Sequence, residues 1–366
     1  MYLNQFFKDK VRMETLKHNC LICLLIFVIA GCTVHNSTIS TTTNNNKLPT
    51  VIERTRDSVI VLTTSFNDTL EVDPKQNGMC SGAVIELQYV ITNFHCVYKQ
   101  KYIRAYFWNK EDWNEYEVEI VGEDPLADLA LLKILNKDTI TPHLKFYKDE
   151  IKEGDEVFAI GHPMGMVWTV TKGIISSINR FSKHPYIMAV QTDAAINQGN
   201  SGGPLLNMKG ELVGINTSIL SKVRENAGIG LAIRADIVEK SYKIMLSKGK
   251  VDRPAIGVMI VPLLRERQRK IIAEKQAEIK IEDIPNTFGL LLIKTEDMPI
   301  GLKIGDAIVG VNGAPINNGM DLAVELIKYN IGEEVSLTII RNKMFKKVKV
   351  PLQVLKVPTE KLYSKK

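Results

Sequence analysis

The sequence predicts a mostly β protein: a sandwich or pair of barrels first, then a second β-rich module that also carries helices. Two observations carry this. From Val51 on, short apolar segments separated by turns recur at 58–63, 82–87, 89–92, 103–107, 117–121, 129–134, 156–160, 167–170, 173–176, 188–191 and 212–215. That spacing suits closed or stacked antiparallel sheets rather than alternating strand–helix units. In addition, 366 residues with a 45% apolar share is the length of two domains plus an appendage, each with a real core.

Lys8, Lys10, Arg12 and Lys17 precede a short apolar run, 21–30, followed by Gly31-Cys32. A bilayer span needs about 20 apolar residues, so the run reads as the core of a secretory signal, complete even if translation starts at Met13. Ile29-Ala-Gly-Cys32 resembles the bacterial lipobox. Residues 1–31 are therefore expected to be a lipoprotein-type signal peptide, with lipid on Cys32 as the membrane anchor; a plain signal peptide or an uncleaved anchor is the alternative. Thr33 after the cysteine hints at the outer membrane. Residues 32–50, rich in Ser, Thr and Asn, read as a flexible tether.

Export removes Cys20 and Cys23, leaving Cys80 and Cys96 as an even pair. In an oxidising compartment the expectation is a disulfide, with two buried free thiols as the alternative. Residues 51–250 form the first domain, closed by an amphipathic helix at 235–248 before Gly249. The second, 251–355, opens at Arg253-Pro-Ala-Ile-Gly257 and contains a charged, helix-like stretch at 263–280. Strands at 289–293, 307–311, 335–340 and 347–351 and a helix at 321–328 follow. The tail, 356–366, is basic. The net charge of +6 is modest and no aromatic platform accompanies the lysines, so nucleic-acid binding is not suggested.

Chemistry concentrates at Gln191-Thr-Asp-Ala-Ala-Ile-Asn-Gln-Gly-Asn-Ser-Gly-Gly-Pro-Leu205. Glycine tolerates backbone angles that a side chain forbids, so Gly199, Asn200 and Ser201 could aim successive N–H groups at one point, as an oxyanion hole requires. Alone, the pentapeptide around Ser201 is equally a tight hairpin turn with a solvated serine. It also fits G-x-S-x-G, but a nucleophile elbow needs a helix after the serine and its partners downstream; here a strand and turn follow.

A serine becomes nucleophilic when a histidine takes its proton and a carboxylate orients that histidine. Of the six histidines, His18 and His35 lie in the leader and tether, His162 reads as a turn residue, and His143 and His184 as loop residues. His95, after the strand 89–94 and beside Cys96, is the candidate base. Asp128, opening the apolar strand 128–134, is the candidate acid, with Asp124 as the fallback. The order His, Asp, Ser is that of the chymotrypsin arrangement.

With these residues assembled, the chain resembles the HtrA/Deg family of chymotrypsin-fold serine proteases. The matching segments are Thr92-Asn-Phe-His95, Ala127-Asp-Leu-Ala-Leu-Leu-Lys-Ile134, Ala159-Ile-Gly-His-Pro-Met-Gly165, Thr171-Lys-Gly-Ile-Ile-Ser176, the run around Ser201, and Gly228-Ile-Gly-Leu-Ala-Ile233. The resemblance implies two six-stranded barrels with the site in their cleft. It also implies His95 as general base, Asp128 as its orienter, Ser201 as nucleophile, and the N–H groups of Gly199 and Ser201 as the oxyanion hole. Residues near Ile215-Asn-Thr-Ser218 would wall the substrate pocket. Phe94 and Cys96 depart from the family pattern, and the Cys80/Cys96 pair instead resembles the disulfide beside the histidine of digestive chymotrypsin-like enzymes. The short segment between Thr64 and Met79 lacks room for the long regulatory loop of some relatives.

The second module resembles a single PDZ domain through Gly301-Leu-Lys-Ile-Gly-Asp-Ala-Ile-Val-Gly-Val-Asn-Gly313, with Ala255-Ile-Gly-Val258 as the implied carboxylate-binding loop. PDZ domains add a C-terminal peptide as an extra strand; nothing after Lys356 reads as a second one. The expectation is an exported, lipid-anchored endopeptidase of the bacterial envelope, facing the periplasm. It would act on unfolded or damaged proteins, bind C-terminal peptides, and form a homo-oligomer, a trimer by resemblance. The rival is an envelope chaperone or peptide-binding stress sensor with minor proteolysis. No cofactor is expected, since no zinc-ligand spacing or phosphate-cradling loop occurs.

Overall fold

The structure, a computed structural model, describes residues 47–69, 77–86, 88–108, 112–135, 143–162, 168–181, 188–217, 228–263, 266–275, 279–294, 299, 301–356 and 359–363. The expected signal, Cys32, His184 and Ser218 lie outside them.

The first helix among the described residues is α1, Leu48–Thr55, where strand patterning and tether composition predicted no helix. Leu48, Val51, Ile52 and Thr55 fall at helical spacing, and Val51 is fully buried among residues of both barrels. Three and four positions separate these residues, too few repeats for the period to stand out in the sequence.

Barrel one is built from β1 Val59–Ser65, β2 Gly78–Glu86, β3 Tyr89–Thr92, β4 Tyr102–Trp108, β5 Trp113–Asp124 and β6 Leu129–Ile134. It closes in the order β1-β2-β3-β6-β5-β4. A short helix, α2 Phe94–Val97, follows β3. Barrel two uses β7 Glu156–Gly161, β8 Thr169–Phe181, β9 Met188–Thr192, β10 Pro204–Asn207, β11 Leu212–Asn216 and β12 Gly230–Arg234, closed as β10-β11-β12-β9-β8-β7. Of the segments 167–170 and 173–176, expected as two strands, residues 169–170 and 173–176 belong to the single strand β8, whose pairing with β9 shifts register twice.

Side chains such as Ile60, Leu62 and Leu132 fill barrel one, and Ala159, Ile175 and Leu205 fill barrel two. A third apolar cluster bonds the two together: Leu129, Leu131, Phe158, Ile160 and Leu206 pack with Tyr242 and Met245 of helix α3, Ala235–Lys248. Each such side chain removed from water contributes about 1.5–3 kcal/mol, so the inter-barrel cleft has a rigid floor.

The second module contains β13 Pro254–Ala255, β14 Met259–Pro262, β15 Leu290–Lys294, β16 Ala307–Val311, β17 Ala314–Pro315, β18 Glu334–Arg341, β19 Met344–Pro351 and β20 Gln353–Val354. Its main sheet runs β14-β15-β16-β18-β19, β17 pairs with β16, and β13 pairs with β20. Within the expected helix 263–280, α4 spans Glu266–Lys275, Leu263, Ile279 and Lys280 are not helical, and a 3-10 turn follows at Ile281–Asp283. Helix α5, Gly319–Leu326, starts at Asn318, whose side chain accepts the Met320 and Asp321 N–H groups as an N-cap.

The two modules are tied directly. Arg253 pairs with Asp124 in full burial, and Lys240 Nζ donates to the Ile327 carbonyl at 2.7 Å. Leu126 of the β5–β6 connection meets Ala323, Ile327, Leu355 and Leu362.

Candidate active site

Phe94 and Val97 are buried and anchor α2 on barrel one, which leaves His95 at the rim with its side chain 23% exposed. Cys96 is bonded to Cys80 of β2, with their Cα atoms 6.2 Å apart. The helix carrying the histidine is thereby stapled to the strand beneath it. The ligand-type atoms of Cys80, His95 and Cys96 lie within 4.8 Å of one another, but the two sulfurs are joined and offer no thiolate.

Asp128 ends the tight connection between β5 and β6. The Ala127 N–H donates to Asp124 Oδ1 at 3.1 Å, and the chain then turns through a left-handed residue, Asp128 at φ 55°. Such a conformation costs of order 1–3 kcal/mol in a non-glycine residue and persists only where surroundings enforce it. Here they do. The Asp128 carbonyl accepts from the Phe94 N–H and from Asn93 Nδ2, each at 3.1 Å.

The Asp128 carboxylate is fully buried and accepts from His95 and Thr217. His95 offers its backbone N–H at 2.9 Å to Oδ1, and its Nδ1 lies 2.9 Å from Oδ2 and 3.1 Å from Oδ1. Thr217 Oγ1 donates to Oδ2 at 2.9 Å from barrel two. A buried carboxylate is tolerable when its lone pairs are so occupied. With Nδ1–H directed at the carboxylate, Nε2 is left as a proton acceptor, the state a general base requires.

Ser201 sits in the turn between β9 and β10. The turn is closed internally, by Asn200 N–H to Asn197 O and Gly203 N–H to Asn200 O, each at 3.0 Å. Externally it rests on Ser81 of β2, whose N–H donates to the Ser201 carbonyl and whose hydroxyl donates to the Gly199 carbonyl, both at 2.8 Å. Ser81 Oγ in turn accepts the His162 N–H at 3.1 Å, and the Ser81 carbonyl accepts from Thr92 Oγ1 at 2.8 Å. Gly202, at φ 82°, allows the approach: a Cβ there would stand 2.2 Å from both the Ser81 oxygen and Thr92 Oγ1. The serine turn thus abuts the β3–α2 corner that presents His95. Gly199, at φ 101°, adopts a conformation suited to glycine.

His162 is wholly buried, and burial pushes its imidazole down to about 3. Its Nδ1 accepts from the Trp168 N–H at 3.2 Å and its ring meets Trp113 edge-on at 6.2 Å, while Trp108, Trp113 and Trp168 pack on one another. Expected as a turn residue, it lies directly after β7 in full burial.

The remaining expected site residues fall as follows. Ile215 packs into the inter-barrel core, Asn216 Nδ2 donates to the Pro204 carbonyl at 3.0 Å, and Thr217 holds Asp128. All three are buried, Ile215 and Asn216 at the end of β11 and Thr217 just after it. Asp124, the fallback acid, is occupied by Arg253 and by Ser241 Oγ at 2.7 Å. In the second module, Ala255 pairs in β13, Ile256 is in the core, and Gly257 turns at φ 73° before Val258 leads into β14. Among the described residues β14 pairs only with β15, and α5 lies beside it. An edge strand next to a helix is the geometry for strand addition. Sequence reading missed Ser81 and the orienting role of Thr217; the only local signal was a hydroxyl residue inside an apolar strand or just after one.

The description "Trypsin-like peptidase domain" matches residues 80–215, and "PDZ domain" matches 293–352. The chain is 35% identical over 267 residues to the periplasmic serine endoprotease DegP of Salmonella typhimurium, covering 71% of this chain and 54% of that protein. It therefore spans about half the length of that relative. Over 370 aligned positions it is 31% identical to a protein of Buchnera aphidicola subsp. Baizongia pistaciae named a probable DegP-like periplasmic serine endoprotease, covering 91% and 77%. Among solved structures, the HtrA-type protease AlgW with a decapeptide superposes with a TM-score of 0.69 at 27% identity, covering 85% of this chain and all of that one.

Proposed function

The chain belongs to the HtrA/DegP family, and on that premise we propose that it is an exported serine endopeptidase acting on unfolded or damaged envelope proteins. The observation that carries the reading is the His95 Nδ1 contact of 2.9 Å to a fully buried Asp128, beside the glycine-lined turn of Ser201.

Acyl transfer then follows from the chain's own groups. Ser201 Oγ attacks the scissile carbonyl while His95 Nε2 takes its proton; Asp128, held by Thr217, stabilises the imidazolium that forms. The N–H groups of Gly199 and Ser201 receive the oxyanion, and removing such a donor typically slows turnover by about 10²–10³. His95 next protonates the leaving amine, and water, activated by the same imidazole, frees the acyl group.

The edge strand β14, entered through Ala255, Ile256, Gly257 and Val258, takes the C-terminal strand of a substrate or of an activating peptide. The relatives named above support a periplasmic location. A lipid on Cys32 and trimeric assembly complete the reading, supported by the lipobox-like motif and the family resemblance.

Reaction of the signal-free protein with a fluorophosphonate probe tests it. Labelling should fall on Ser201 and vanish in Ser201→Ala and His95→Ala. An unlabelled wild-type protein, with and without C-terminal peptides, would reject the endopeptidase reading.

A further inference from the structure

Beyond the last strand of the second module the chain turns back. Helix α6, Thr359–Tyr363, packs through Tyr363 on the core of barrel one beside α2. The Tyr363 ring centroid stands 5.0 Å from Phe94 and 5.4 Å from Tyr98, which are themselves 5.3 Å apart. These two residues flank His95 on and just after α2. The Tyr363 hydroxyl donates to the Pro125 carbonyl, inside the β5–β6 connection that ends at Asp128. Leu362 packs with Leu126 of the same connection and with Ala323 and Ile327 of the second module.

One side chain therefore touches both the helix that presents the imidazole and the connection that presents the carboxylate. Aromatic rings in edge or tilted contact add packing beyond the area they bury. The exposed pair Lys99–Glu360, at 3.3 Å, adds little. Burial raises the Tyr363 phenol, and the charges of Asp128 and Asp124 raise it further, so it remains a donor throughout the working pH range.

We propose that Tyr363 is a positioning residue for the His95–Asp128 pair. Docked among Phe94, Tyr98 and Pro125, it keeps α2 and the 124–128 connection in register, making the segment after the PDZ domain part of the active-site support. The proposal rests on the endopeptidase reading for its consequence, though not for its geometry. A misplacement of about 1 Å at a reacting group can cost about 10²-fold in rate, so a distant tether of this kind has leverage.

The test compares the wild type with Tyr363→Ala and Tyr363→Phe, both checked for retained far-ultraviolet circular dichroism. Two readouts are taken: the His95 imidazole titration by NMR, assigned with His95→Ala, and the pH profile of fluorophosphonate labelling. Tyr363→Ala should lower the His95 midpoint and slow labelling about tenfold, since a displaced Asp128 stabilises the imidazolium less. Tyr363→Phe, which keeps the ring, should recover most of both. A His95 midpoint unchanged in Tyr363→Ala overturns the proposal, and so does slower labelling without a shift of the midpoint. A shifted midpoint in a protein whose wild type is never labelled upholds the positioning role while rejecting the endopeptidase reading.

Discussion

Thr217 Oγ1 donates to Asp128 Oδ2 at 2.9 Å, so the carboxylate presented by barrel one takes a partner from barrel two. The two barrels thus meet at the buried carboxylate of the candidate acid. Thr217→Val keeps the shape and removes the donor. A hydrogen bond to a charged group contributes about 1.5–3 kcal/mol, so kcat/KM on an unfolded protein substrate should fall about ten- to hundredfold with little change in KM.

Ser81 links three segments through one hydroxyl: it donates to the Gly199 carbonyl and accepts the His162 N–H. Ser81→Ala leaves both groups buried without this partner, each at about 1–3 kcal/mol. Fluorophosphonate labelling should slow and the urea midpoint should drop. Ser81→Thr, which restores the hydroxyl, should recover labelling more than Ser81→Ala does.

Asp124 and Arg253 form a buried pair that joins the β5–β6 connection to the start of the second module. Removing one partner strands the other charge, at about 3–5 kcal/mol. Arg253→Met should lower the first thermal transition clearly. The double variant Asp124→Asn/Arg253→Met should regain a large part of the loss, and a double-mutant cycle measures the coupling.

His162 is held neutral by burial, with its pKa lowered to about 3. The unfolded chain, with a histidine near 6.5, binds the proton first. Stability is therefore lost as pH falls from about 6.5 toward 3, at about 1.4 kcal/mol per unit. Between pH 7 and pH 5 this amounts to about 2 kcal/mol from this group. His162→Gln should flatten that part of the stability–pH curve, read by urea midpoints at each pH.

Much of the fold was legible because it is local. Alternating apolar segments such as 103–107 and 129–134 bury one or both faces wherever the sheet closes, and they became β4 and β6. The disulfide expected of Cys80 and Cys96 is formed. Helix α1 and the single long β8 were not legible, the first because its period is short and the second because strand continuity depends on the neighbouring strand.

The candidate nucleophile, base and acid, Ser201, His95 and Asp128, can be read from the chain alone, because their side chains have the required chemistry and glycines and apolar strands mark the turns around them. What holds them emerges only on folding. Ser81 meets Gly199 across 118 positions, Thr217 meets Asp128 across 89, and Tyr363 meets Pro125 across 238. A serine, a threonine or a tyrosine of this kind has no distinctive local pattern. Its role comes from which distant carbonyl or carboxylate the closed barrels bring within about 3 Å, and hydrogen bonds of that length are set by packing rather than by neighbours in the chain.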